Sequence, residues 1–382
     1  MDEVYLDNAA TTRPWPEVID AVSRAMGDGF GNASSLHSRG LAAARAVTGA
    51  CDAIEEVVGS GPWRVVFTSG GTEADAMAVL GSAPRGKRDT VVTTTVEHAA
   101  VTEACRQVVD RGGRLVEVEA GLSGVIDPDA VGDAVDEKTA LVSVVHVANE
   151  IGTVQPVADM ARIVKAKAPG CRIHVDAVQA LAQIDALDYP PEVDMVSISA
   201  HKIHGPQGIG ALLLRKDVRP RPLVFGGDQQ EGLRPGTFNL PGIAGFSTAI
   251  GMLDSHRKDG IARMNTLSER LIREIMSGME GVRQLGDSAC RAPGMVVLAI
   301  EGVTSEVLLH TLEARGVLAA SGSACHSTRK QPPRCLRDAG LETNEGAVRL
   351  SLSSQTTSTE IDVAVDVIAE AIDAVRTGRM GS

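Results

Sequence analysis

The chain has 382 residues, 43% of them hydrophobic and 23% charged, with a formal net charge of −12. That length exceeds one compact core, so two domains are expected, with the composition of an ordinary folded protein. The acidic balance disfavours a broad nucleic-acid surface, no apolar run reaches the length of a membrane span, and the start Met1-Asp-Glu-Val lacks a signal-peptide core, which points to the cytoplasm.

Short apolar runs at 65–68, 90–94, 141–147, 173–175, 195–199 and 211–214 read as buried strands. Helical patterns at 16–26, 41–58, 100–111, 157–167 and 243–257 alternate with them. That alternation predicts an α/β domain whose largely parallel sheet is covered on both faces, with functional groups at the carboxyl ends of the strands. From about Met264 the pattern changes to a helix over 264–279, a strand over 295–300, a helix over 305–315, a cysteine-bearing loop, a strand over 348–352 and a closing helix over 358–376. We therefore expect a large domain over 13–257, and a smaller α+β domain made of 1–12 and 258–382.

Four segments carry chemistry. In Arg64-Val-Val-Phe-Thr-Ser-Gly-Gly-Thr-Glu73 a strand breaks at two glycines and a helix begins near Thr72. The N–H groups around Gly71 and the Thr72 hydroxyl suit a phosphate at a helix N-terminus, although Gly-Gly-Thr is also a plain helix start. His98 follows another apolar strand, where an imidazole either stacks on a cofactor ring and moves protons or is structural. Asp176 ends the strand Ile173 to Val175, with Gln179 three residues on. A carboxylate there pairs with a protonated pyridine nitrogen while Gln179 donates to the ring's phenolic oxygen; the alternative is a helix cap. In Ser199-Ala-His-Lys-Ile-His-Gly-Pro-Gln-Gly208, Lys202 sits at a strand end before a glycine-rich turn, with Ser199 and His201 as phosphate donors. Such a lysine holds an aldehyde cofactor as a Schiff base, or is a solvated surface charge.

Read together these segments resemble the pyridoxal-phosphate enzymes of aminotransferase class V, and within them the NifS/IscS-type cysteine desulfurases. Further matching phrases are Tyr5-Leu-Asp-Asn-Ala-Ala-Thr-Thr12, Gly31-Asn-Ala-Ser-Ser-Leu-His37, Asn149-Glu-Ile-Gly-Thr-Val-Gln-Pro156, Gly226-Gly-Asp-Gln-Gln-Glu-Gly-Leu-Arg-Pro-Gly-Thr237, Gly322-Ser-Ala-Cys325 and Val348-Arg-Leu-Ser351. The resemblance covers nearly the whole chain. It implies fold type I, with a mixed, mostly parallel seven-stranded sheet in which one late strand is antiparallel. It implies pyridoxal 5′-phosphate on Lys202, held by Gly71, Thr72, His98, Asn149, Asp176, Gln179, Ser199, His201 and Thr237. Thr237, in relatives, reaches the neighbouring subunit's cofactor, which implies a homodimer. Arg349, with Asn8 and Asn149, would take the amino-acid substrate, since a planar guanidinium binds a carboxylate through two hydrogen bonds.

Cys325 lies in Ser321-Gly-Ser-Ala-Cys-His-Ser-Thr-Arg-Lys-Gln-Pro-Pro333, whose composition predicts an exposed loop. The resemblance gives it the nucleophile's role: its thiolate takes sulfur from L-cysteine as a persulfide, and alanine leaves. A selenocysteine lyase, a class V aminotransferase with no need of Cys325, and a non-catalytic scaffold are the alternatives. The other cysteines, at 51, 105, 171, 290 and 335, show no metal-ligand spacing and read as reduced thiols, so no metal is expected. Arg329, Lys330, Arg334 and Arg337 read as a solvated loop or as a docking patch for an acidic sulfur acceptor. Three departures from relatives stand out: Ala76 where an Asn is usual, Ala148 before Asn149, and Ser351-Leu-Ser after the substrate arginine.

Overall fold

The computed structural model describes residues 3–59, 61–321 and 332–379, so Cys325, Arg329 and Lys330 lie outside the described residues. A two-residue strand, β1 (Val4–Tyr5), precedes the central sheet. That sheet has seven strands: β2 (Trp63–Thr68), β3 (Thr90–Thr94), β4 (Arg114–Val118), β5 (Thr139–Val145), β6 (Arg172–Asp176), β7 (Met195–Ser199) and β8 (Gly210–Arg215), in the order β2-β8-β7-β6-β5-β3-β4. β8 runs antiparallel to both its neighbours, and the pairings from β7 through β6, β5 and β3 to β4 are parallel.

Strand side chains alternate between faces, and the two faces bury different cores. Val91, Leu141, Met195 and Leu212 pack under helices Gly71–Ser82 and Ala99–Asp110. Their immediate neighbours Val92, Val142, Val196 and Leu213 turn to the other face, against helices Ser38–Val58, Val157–Lys167 and Leu240–Gly278. Both faces being covered is why these strands read as continuous Val, Leu and Ile runs. β4, absent from the expected strands, is an edge strand whose Arg114 and Glu117 are exposed. Charges on an edge strand guard against pairing with another chain, and here they hide the strand pattern.

A third core gathers Val4 and Leu6 with residues from Met264 onward. Its framework is the antiparallel sheet of β9 (Val282–Gln284), β10 (Met295–Glu301) and β12 (Glu345–Ser351), with β11 (Val317–Leu318) pairing parallel to β1. Helices Ser305–Glu313 and Ser358–Thr377 cover it. The expected pair of helices over 243–257 and 264–279 is instead one 39-residue helix, Leu240–Gly278, that runs from the core around Val92 into that of Val4 and Leu6. The polar stretch with Gly260 reads as a break, but Gly260 is where the helix passes Ser354: a Cβ there would lie 3.0 Å from the Ser354 Cβ.

Candidate active site

The carboxyl ends of the central strands converge on one cavity of about 380 Å³. β7 ends at Ser199 and turns at once through Ala200–Lys202, while β6 ends at Asp176. The cavity is lined by Gly71, Thr72, His98, Asn149, Asp176, Gln179, His201, Lys202 and Arg349. An adjoining recess shares Gly71, Thr72 and His201 with it and adds Ser199.

The recess is shaped by backbone. Gly70 has φ 155°, ψ −177°, a conformation essentially confined to glycine, which lets helix Gly71–Ser82 start abruptly with its N–H groups facing the recess. A Cβ on residue 71 would lie 2.7 Å from Val178 Cγ2. Ser199 Oγ is buried and accepts or donates no hydrogen bond within the protein. His201 is held neutral: burial chiefly, then the charges of Lys202 and His98, bring its pKa down to about 4.

Asp176 Oδ1 accepts from Val178 N at 2.9 Å, so the carboxyl organises the turn after β6 while facing the cavity. Burial raises its pKa, and the nearby His98 and Lys202 act in the opposite direction. His98 caps helix Ala99–Asp110, its Nδ1 accepting from Ala100 N at 3.1 Å. That contact leaves Nε2 to carry the proton of the neutral ring. Lys202 Nζ donates to the carbonyls of Ala9 and Ala10, and Gln179 Nε2 donates to the same Ala9 carbonyl at 2.7 Å. The N-terminal segment therefore closes over the lysine.

Arg349 is buried on β12 and pinned from two sides: Nη1 donates to the Asn149 carbonyl and Nη2 pairs with Asp7, both at 2.8 Å. Its Nε and the side-chain oxygen of Asn149 are buried without a hydrogen-bond partner. Such atoms are costly unless something polar meets them, so they mark where a ligand's oxygens and donors belong.

Two expected residues are not brought to this cavity. Asn8 points away from it, its Nδ2 donating to the carbonyls of Tyr5 and Ser351, and it lines a smaller neighbouring cavity with Lys202. Thr237 is exposed on the loop after β8. Conversely, sequence reading missed Asp7, Asp75 and Glu150. Asp75 lines the cavity 3.6 Å from His174 Nε2, and burial together with the Asp176 charge pushes its carboxyl well above the usual range. An acid set among Ala74, Ala76, Met77 and Ala78, past the first turn where Glu73 suits the helix N-terminus, is the signal that would have found it.

The model of the family described as "Aminotransferase class-V" matches residues 4–363. The chain belongs to this family. A cysteine desulfurase of Cereibacter sphaeroides is 39% identical over 383 residues, covering 98% of this chain and 97% of the relative. Among solved structures, a NifS-like protein superposes with a TM-score of 0.88 at 32% identity, covering 97% of this chain and 99% of that one. SspA in complex with cysteine superposes at 0.79 with 27% identity, covering 92% of this chain and 99% of that one. The class-V fold is thus the fold seen here, and β8, the seventh strand of the sheet, is the late antiparallel strand that the resemblance implies. Class-V enzymes of this kind depend on pyridoxal 5′-phosphate. The cavity fits that group: a recess at a helix N-terminus beside the orphaned Ser199 hydroxyl for phosphate, and Asp176 for the ring nitrogen.

Proposed function

We infer that the chain is a pyridoxal-phosphate-dependent cysteine desulfurase, converting L-cysteine to L-alanine while sulfur passes to Cys325 as a persulfide. The observation that carries this reading is the convergence of Lys202, Asp176, His98 and Arg349 on one cavity, in a chain 39% identical to a cysteine desulfurase. Bound there, the cofactor would supply an aldehyde for the substrate amine and a sink for the electrons left when the Cα proton departs.

The chain's residues divide the remaining work. Gly71, Thr72, Ser199 and His201 hold phosphate, and Asp176 keeps the ring nitrogen protonated. Gln179 and Asn149 orient the ring, and His98 covers its face. Lys202 returns a proton at the substrate carbon. Arg349, preset by Asp7 and Asn149, takes the substrate carboxylate. Asn8 acts indirectly, by tying the N-terminal segment to β12. The Cys325 thiolate attacks the substrate sulfur, the C–S bond breaks, and the carbon is protonated to give alanine.

We divide the chain into a large domain over 13–257 and a small one of 1–12 with 258–382; the core of Val4, Leu6 and residues from Met264 onward supports this, and helix Leu240–Gly278 spans the boundary. A homodimer completes the site if the exposed Thr237 reaches a second subunit. Among the described residues no helix is long and apolar enough to cross a membrane, and we place the enzyme in the cytoplasm, delivering sulfur to a protein acceptor.

The test is intact-protein and peptide mass after brief exposure to L-cysteine without reductant. Wild type should gain one sulfur on the Cys325 peptide, and Cys325→Ser should gain none. No added sulfur on holoenzyme would sink the desulfurase reading and favour a lyase or aminotransferase. A selenocysteine lyase would show itself as turnover of selenocysteine far above that of cysteine.

A further inference from the structure

The loop that carries Thr237 is tied to the phosphate turn by contacts that the chemistry itself does not use. Within this loop Gln230 and Glu231, neither of them glycine, hold left-handed φ values of 52° and 56°. Side chains seldom adopt that conformation unless neighbours hold it. Gln230 is held by the free edge of β2: its Oε1 accepts from Phe67 N at 2.6 Å, and its Nε2 donates to the carbonyls of Phe67 and Arg234 at 3.0 Å. The amide thus stands in for a strand partner one residue before Thr68, where the phosphate turn begins.

Four residues further on, Arg234 grips Glu73 in a two-pronged pair. Its Nε donates to Oε1 at 2.9 Å and its Nη2 to Oε2 at 3.4 Å. Glu73 Oε2 in turn accepts from Ser69 N at 2.6 Å, so the pair reaches the backbone of the turn. Glu73 also lines the recess together with Ser199 and His201. A bare carboxylate lining an anion site opposes the anion, and the guanidinium removes that opposition. Partly exposed pairs contribute little to global stability, so the purpose of this one is local.

We propose that Arg234 is a positioning residue for the cofactor phosphate. Through Glu73 it holds the Ser69–Gly71 turn in shape, screens the Glu73 charge, and couples that turn to the loop presenting Thr237 to a second subunit. The inference rests on the cofactor and dimer readings above. Its consequence is that phosphate binding and subunit assembly reinforce each other, since each orders the loop that the other needs.

The test uses full-length protein stripped of cofactor and retitrated with pyridoxal 5′-phosphate. Affinity is followed by absorbance, the bound phosphate by ³¹P NMR, and assembly by sedimentation. Arg234→Met should bind the cofactor about tenfold more weakly, with a shifted ³¹P resonance, because Glu73 is left uncompensated beside an anion. Adding Glu73→Gln to Arg234→Met should recover most of that affinity, and Arg234→Lys should fall between Arg234→Met and wild type. Circular dichroism of each variant separates this from misfolding. An Arg234→Met affinity and ³¹P signal equal to wild type overturn the proposal, as does a double variant no tighter than the single one. A wild type that is monomeric yet holds the cofactor fully would instead refute the dimer reading. Failure of the desulfurase reading would appear separately, in the persulfide mass experiment.

Discussion

Glu97 Oε1 accepts from the Thr94 hydroxyl at 2.6 Å and from Val145 N at 2.9 Å, while Oε2 is buried without a partner. Burial, the largest influence, pushes this carboxyl up to about 8 from an ordinary 4.5. The folded pKa lies above the unfolded one, so the native state holds the proton more tightly. Its stabilising contribution is therefore complete below about pH 4.5 and is lost as pH rises through about 8. Glu97→Gln should flatten that part of the stability profile, leaving the variant more stable than wild type at the alkaline end, by on the order of a few kcal/mol. Urea midpoints measured across the window check this, and parallel profiles would refute it. Arg349 offers a second residue-scale prediction. Its guanidinium is already aligned by Asp7 and the Asn149 carbonyl. Arg349→Lys loses the paired geometry and should lower kcat/KM for cysteine by about 10²-fold, with cofactor affinity and fold intact. Steady-state kinetics beside a cofactor titration separates the two effects.

Local rules served some elements well and failed for others. Helix Ser358–Thr377 begins with a full capping box, in which Thr357 Oγ1 accepts from Glu360 N while the Glu360 carboxylate accepts from Thr357 N. Thr357→Ala should cost about 1 kcal/mol in a denaturant titration, with no change in cofactor binding. Helices Pro16–Met26 and Val157–Lys167 begin and end where their apolar spacing predicts. β4 and the uninterrupted helix Leu240–Gly278 were not legible, because edge charges mask the first and the polar stretch around Gly260 reads as a break in the second. In both, the deciding contact is with a distant segment: β3 for the strand, and Ser354 for the helix.

At the scale of the whole molecule, the exposed Phe225 stands one residue before the loop that ends at Thr237 and is 84% accessible. A large apolar side chain so exposed beside a site-bearing loop suits an interface. Sedimentation should give twice the 39.8 kDa chain mass, and Phe225→Asp should shift the protein toward monomer and release cofactor with it. A variant that stayed dimeric would remove Phe225 from the interface.

The sequence by itself determined the order of the chemical groups. The phosphate turn, His98 and Lys202 each follow a strand and Asp176 ends one, and local hydrophobic pattern locates strand ends without knowledge of their neighbours. Tertiary structure alone decided which groups meet. Asp7 and Arg349 pair across 342 positions, Glu73 and Arg234 across 161, and Asp75 reaches His174 beneath the cavity. No local rule carries those contacts. They exist because parallel crossovers bring distant strand ends to one edge, and because β12 and the N-terminal segment close over it.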